Sequence, residues 1–224
     1  MEPQIRSAKC NCTRWTSIRY WSNRTKWTSI IAITTVITGI EMAKKRNILL
    51  FVDEVQCGSG RTGKWWASEE FNVTPDLMTF AKGIGSGFPI GGVSGNSEIF
   101  NTMSKNSLGG TYNGNVISTV AASTTIDIIQ EENILKNVNI KGKEIVEGLK
   151  DLPYIEDVRQ YGLFIAVDIV PFIDVKDIIE IGVKHNLILI SCGNNSLRII
   201  PPLVITKEEI EYFLYKIELV LNTF

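Results

Sequence analysis

Two apolar runs stop abruptly on charged residues. Ile48 to Val52 (Ile-Leu-Leu-Phe-Val) ends at Asp53-Glu54, and Leu77 to Ala81 (Leu-Met-Thr-Phe-Ala) ends at Lys82. Short continuous apolar runs predict buried strands, as in a parallel sheet covered on both faces. The interval from Asp53 to Lys82 accommodates a strand, a connecting helix and a returning strand. A short amphipathic helix is predicted over Lys64 to Phe71, with Pro75-Asp76 marking its end. The glycines at 83, 85, 87, 91 and 92, around Phe88-Pro89, predict a tight turn into an antiparallel strand over Ile90 to Gly95, with backbone able to pass close to a bound group.

Further along, Asn115 to Ile129 has helical apolar spacing, and Glu131 to Leu149 continues as helix with exposed Lys and Glu positions. Pro153 and the turn after it mark the passage into sheet. Strands are predicted over Ile155 to Arg159, Gly162 to Asp168 and Leu187 to Ser191, and helices over Val175 to Lys184 and Lys207 to Leu221. Thr206 followed by Lys207-Glu208-Glu209 is an N-cap with acids in the first turn, and His185 closes the preceding helix. The pattern is α/β, with three parts: an atypical segment over residues 1–40, a larger domain over 41–150 and a smaller one over 151–224.

Residues 1–40 differ in composition from the rest, being rich in Arg, Lys, Thr, Ser and Trp and almost free of acids. This is the composition of a mitochondrial presequence, so the compartment stays open between cytoplasm and mitochondrial matrix. The apolar tract Ser29 to Ile40 is too short and too threonine-rich to span a bilayer, which takes about 20 apolar residues. A net charge of −1 with mixed signs gives no electrostatic case for nucleic acid. The cysteines at 10, 12, 57 and 192 form no disulfide framework, and Cys10-Asn-Cys12 lacks the further ligands of a metal site.

The candidate chemistry lies at the two strand ends. Open α/β sheets place ligands at the carboxyl ends of their strands, so Asp53 and Lys82 face one crevice. A lysine near a carboxylate in a dry crevice suits Schiff-base chemistry, because desolvation turns an amine into a nucleophile toward carbonyls. A strand-end salt bridge is the alternative that the spacing alone leaves open.

The wording of the stretch goes further than its spacing. Asp53-Glu-Val-Gln56, Gly60-Arg-Thr-Gly63, Pro75-Asp76 and Ala81-Lys-Gly-Ile84, followed by Gly87-Phe-Pro-Ile-Gly91, resemble the signature of the class III pyridoxal-phosphate-dependent aminotransferases. That group contains the 4-aminobutyrate, ornithine and acetylornithine enzymes. The Gly-Lys-Trp-Trp segment and Gly109-Gly-Thr-Tyr112 look most like its 4-aminobutyrate members. The resemblance runs from about Glu41 to the end and does not include Met1 to Gly39. It implies fold type I, an α/β fold with an incomplete large domain and a C-terminal small α/β domain, and pyridoxal 5'-phosphate as cofactor.

By the same resemblance Lys82 carries the cofactor and moves the proton at the substrate carbon. Asp53 pairs with the pyridine nitrogen, Val55 packs on the ring and Gln56 approaches its hydroxyl. Thr111, in Gly109-Gly-Thr-Tyr-Asn-Gly-Asn115, binds the phosphate across a dimer interface. Arg198, in Leu197-Arg-Ile-Ile-Pro-Pro-Leu203, clamps the substrate carboxylate, as a guanidinium fork suits. On pattern alone Arg198 also reads as a structural arginine on the edge of a small sheet, and Arg61 as a loop-stabilising residue. Glu54 and Asp76 fit turn and strand polarity, and Trp65-Trp66 packs a helix onto its sheet.

The expected reaction is amino transfer, in two ping-pong halves, from a donor with a terminal amine such as 4-aminobutyrate or ornithine to a 2-oxo acid. The family's phosphate loop, its ring-stacking aromatic residue and much of its sheet have no counterpart before Asp53, so a truncated product or incomplete gene model is expected. The expected partner is a second copy or a longer homologue, with neither nucleic acid nor membrane. Two other readings stay open: a non-catalytic fragment that associates with a full-length aminotransferase, and a lyase, racemase or aminomutase on the same scaffold.

Overall fold

A computed structural model describes residues 6–8, 40–43, 45–105, 107 and 109–224. Cys10-Asn-Cys12 and most of the Ser29 to Ile40 tract lie outside the described residues. The contacts divide the chain into two compact units. The first holds the described residues through Ile128 apart from Gly60–Trp65, and the second holds Gly60–Trp65 and Ile129–Phe224.

The first unit is built on a four-stranded sheet in the order β1 (Arg6–Ala8), β2 (Leu50–Asp53), β3 (Leu77–Ala81) and β4 (Gly91–Gly95). β1, β2 and β3 run parallel, and β4 returns antiparallel to β3, as the glycine-rich turn predicts. Asp76 locks the register from below. Its carboxylate accepts from Leu50 N at 2.7 Å, and its own N–H donates to Leu50 O at 2.9 Å.

β2 and β3 are half-buried along their whole length, where their apolar runs predict full burial. Full burial needs cover on both faces, and the cover here is partial. The helix predicted over Lys64 to Phe71 is a 3-10 turn over Ala67–Phe71. It starts late because Gly63 (φ +82°) and an extended Trp66 (φ −128°, ψ 139°) carry the chain in as loop, and it stops at a left-handed Asn72. Helices α1 (Ser97–Asn101) and α2 (Val116–Glu131) follow, α2 spanning the division between the units.

In the second unit, helix α3 (Ile134–Leu149) is separated from α2 by Asn133 in the left-handed conformation, so the long helix expected through Glu131 is broken there. Four antiparallel strands follow: β5 (Ile155–Tyr161), β6 (Phe164–Ile169), β7 (Ile190–Cys192) and β8 (Ser196–Ile199), in the order β5-β6-β8-β7. Helices α4 (Val175–Lys184) and α5 (Lys207–Leu221) have the bounds their periodicity predicts. Thr206 caps α5 in a reciprocal box with Glu209, and His185 caps the end of α4.

β7 begins later than the predicted Leu187 start. Asn186 (φ +58°) and the Leu187 N–H bond to Gly182 O spend these residues on closing α4, and cross-strand pairing begins at Ile190. The core includes Val138, Ile145 and Leu149 of α3, Ile165 and Val167 of β6 and Ile217 of α5, all 0–1% exposed. Among the described residues no helix is long and apolar enough to cross a membrane.

One close approach sets the packing of α3. A Cβ on Gly142 would lie 2.0 Å from Gly162 O, a backbone atom that cannot swing aside. Gly162 itself needs its left-handed φ of +56°, and its own Cβ would meet the backbone of Arg61 and Thr62 at 2.5–2.8 Å. Alanine has the higher helix propensity, by about 1 kcal/mol. Gly142→Ala is nonetheless expected to destabilise the fold by roughly 2–3 kcal/mol, the scale of overpacking, read as a lowered urea midpoint at unchanged slope.

Candidate active site

Parallel pairing brings the carboxyl ends of β2 and β3 out at the same end of the sheet. Asp53, the last residue of β2, stands opposite Thr79 in the register. Its Oδ1 accepts from Thr79 Oγ1 at 3.0 Å and from Val55 N at 3.1 Å. Both bonds fall on one oxygen, so the carboxylate is held at a fixed angle and its Oδ2 takes no hydrogen bond among the described residues. A neighbouring cation or protonated ring nitrogen is the group such an oxygen suits.

Lys82 follows β3 directly and is exposed. It opens the 3-10 turn Lys82–Gly85 with φ +51°, a left-handed conformation that costs a non-glycine residue of order 1–2 kcal/mol. The turn ends in a second left-handed residue, Ser86. Backbone strain of this kind is concentrated where a side chain must be aimed. A primary amine presented there can add to a carbonyl carbon.

Val55 and Gln56 lie half-buried in the turn leaving β2, so the structure gathers four of the sequence-predicted residues at one sheet end. Thr111 sits in the exposed turn before α2, where Asn113 N bonds Gly110 O and Asn115 N bonds Tyr112 O. Arg198 is in the second unit, on β8, between Ala166 of β6 and Ile190 of β7. β8 is therefore an inner strand, which corrects the expectation of a sheet-edge arginine. Its neighbours Leu197 and Ile199 are buried, and strand alternation puts half-buried Arg198 on the opposite face.

The polar residues read as structural have structural partners. Glu54 is fully buried, and its two carboxylate oxygens accept from Ala67 N (3.0 Å) and Ser68 N (2.7 Å), capping the 3-10 turn. The Trp65-Trp66 pair divides its work between the two units: Trp66 meets Phe80 of β3 at 5.9 Å, while Trp65 packs on the core of the second. Thr79 is the residue that sequence reasoning passed over. The signal was present, a lone hydroxyl inside an apolar strand, but its partner is set by register.

The structure superposes on that of a transaminase from the marine bacterium Virgibacillus with a TM-score of 0.80 at 30% identity, over 85% of this chain and 48% of that one. The architecture is that of the fold type I pyridoxal-phosphate-dependent transferases. In sequence, residues 34–221 match the profile described as aminotransferase class-III, starting a little before Glu41. The chain belongs to the class-III aminotransferase family.

It is 39% identical to the 4-aminobutyrate aminotransferase GabT of Escherichia coli, over 75% of this chain and 43% of the relative. It is 43% identical to an alanine/serine racemase of Pyrococcus horikoshii, over 80% of this chain and 40% of the relative. The chain thus spans less than half the length of the curated relatives it matches.

Glu54→Gln is expected to cost about 1–3 kcal/mol, since one acceptor of a buried pair becomes a donor facing an N–H. Loss of stability in urea together with faster amide exchange at Ala67 and Ser68 is the outcome that checks the capping role.

Proposed function

We propose that this chain carries the pyridoxal-phosphate half-site of an aminotransferase that moves an amino group, from a donor with a terminal amine, to a 2-oxo acid. The observation that supports it most is the pairing at the sheet end. Asp53 is oriented by Thr79 and by the Val55 amide, and Lys82 is held in a strained turn one strand away.

The residues fit the cofactor. Asp53 presents one oxygen with no other hydrogen bond among the described residues, as a protonated pyridine nitrogen requires, and Lys82 presents an exposed amine. When bound, pyridoxal phosphate supplies an electron sink for the carbanion that amino transfer generates. In this reading Asp53 keeps the ring nitrogen protonated, Val55 packs against the ring and Gln56 approaches its hydroxyl. Lys82 anchors the ring and afterwards carries the proton at the substrate carbon. Thr111 holds phosphate from a neighbouring subunit, and Arg198 receives the substrate carboxylate. Residues 41–150 are then the C-terminal part of the family's cofactor-binding large domain and 151–224 its small domain.

A terminal-amine donor is favoured by the 39% identity to 4-aminobutyrate aminotransferase. The 43% identity to an alanine/serine racemase favours a second reading, in which the same lysine and aspartate invert an α-carbon. The partner in this reading is a second copy of the chain or a longer homologue, with phosphate contacts shared across their interface.

The test is visible absorbance of the full chain after addition of pyridoxal phosphate and gel filtration, followed by borohydride reduction and peptide mass analysis. A retained band and a pyridoxyl group on Lys82 are expected, both lost in Lys82→Ala. A label retained in that variant would refute the assignment. With cofactor-loaded protein that has not been reduced, amino transfer from 4-aminobutyrate to 2-oxoglutarate supports the first reading, and D-alanine formed from L-alanine without an oxo acid supports the second.

A further inference from the structure

Within the second unit, the turn Gly60–Trp65 is fastened at several points. Arg61 O accepts from Leu163 N at 3.0 Å, and Gly63 O accepts from Asn139 Nδ2 of α3 at 3.3 Å. The backbone of Arg61 and Thr62 lies against Gly162, where no side chain would fit. Fixed in this way, Arg61 sends its guanidinium to the carbonyl of Pro201, a residue far away in sequence. Burial pushes that guanidinium down to about 10, so it remains charged at neutral pH.

Pro201 is the second residue after β8, the strand that bears Arg198. Pro201 and Pro202 have no N–H, so this loop cannot hold itself through those amides and relies on its carbonyls. Lys141 of α3 donates to Ile205 O, and Ile205 N bonds back to Pro202 O at 3.1 Å. Each end of the Pro201 to Ile205 loop is thus tied to a cation through a backbone carbonyl. Placing a desolvated charge on a neutral carbonyl is a costly way to tether a loop, since an uncharged amide donor would serve. A charge-assisted bond earns its place by fixing the direction of the peptide it grips.

We propose that Arg61 is a positioning residue for Arg198: it fixes the exit of β8, and with it the direction of the carboxylate-clamping guanidinium. This rests on the reading of Arg198 as that clamp.

The experiment uses the full chain and glutarate, a dicarboxylate without a reactive carbonyl, titrated by calorimetry into wild type, Arg198→Gln, Arg61→Gln and Arg61→Lys. Amide exchange is followed in parallel. The expected results are loss of binding in Arg198→Gln and roughly tenfold weaker binding in Arg61→Gln, the loss of one charge-assisted bond, with partial recovery in Arg61→Lys. In Arg61→Gln, amides over residues 196–203 should exchange faster while those of Ile145 and Ile217 keep their protection. Wild-type affinity in Arg61→Gln overturns the proposal alone, and so does a uniform loss of protection across the unit. A wild type that binds no glutarate, or an Arg198→Gln that binds normally, refutes the clamp reading itself, and the positioning role falls with it.

Discussion

Everything proposed for the first unit depends on the parallel pairing of β2 with β3. Parallel strands end at the same side of a sheet, so two residues distant in sequence, Asp53 and Lys82, leave the sheet together without a contact between them being needed to bring them there. The register adds what topology alone does not. Because Asp53 is opposite Thr79, a hydroxyl inside the apolar strand reaches the carboxylate and, with the Val55 amide, fixes one of its oxygens. A register slip of one residue would turn Thr79 to the other face and leave Asp53 to the Val55 amide alone. Asp76, bonded at both ends of its own residue to Leu50, guards against that slip at the far end of the pair.

The second unit works by a different constraint, close packing around glycine. α3 lies so near the β5-β6 turn that Gly142 and Gly162 have no room for a Cβ, and the turn Gly60–Trp65 is seated on that same Gly162. The consequence passes along the chain as geometry. Arg61, placed by that seat, reaches Pro201, and the loop it holds is the continuation of β8. The core beneath, with Ile145, Leu149, Ile217 and Leu221 at 0–1% exposure, makes the support stiff.

Much of this was legible in the sequence. The strands that end on Asp53 and Lys82, the antiparallel return through β4 and the bounds of α4 and α5 follow from apolar periodicity and capping residues. Local chemistry determines those features. The misses share a cause. The late start of the 3-10 turn depends on Gly63, Trp66 and the buried Glu54 cap, and the late start of β7 depends on Leu187 bonding back into α4; both are partner choices that a single segment does not encode. The inner position of β8 is likewise a matter of strand order, since β7 and β8 are adjacent in sequence and β6 reaches β8 from across α4. At the site, residue types identified Asp53 and Lys82, whereas Thr79 emerged only once the register was known.

The two units differ in how completely they bury their strands, and the difference bears on the chemistry. Four of the six residues of β6 are buried, while β2 and β3 are half-buried and Val116, Ile117 and Val120 of α2 are 60–73% exposed. The aim of Asp53 does not require more cover, because hydrogen bonds to neighbouring strand and turn set it. The strength of its interaction with a charged ring does, because the attraction between charges falls several-fold between a protein interior and water. Orientation at this site is therefore encoded locally, in the register of two strands, whereas electrostatic strength is a collective property of whatever apolar surface lies over the sheet.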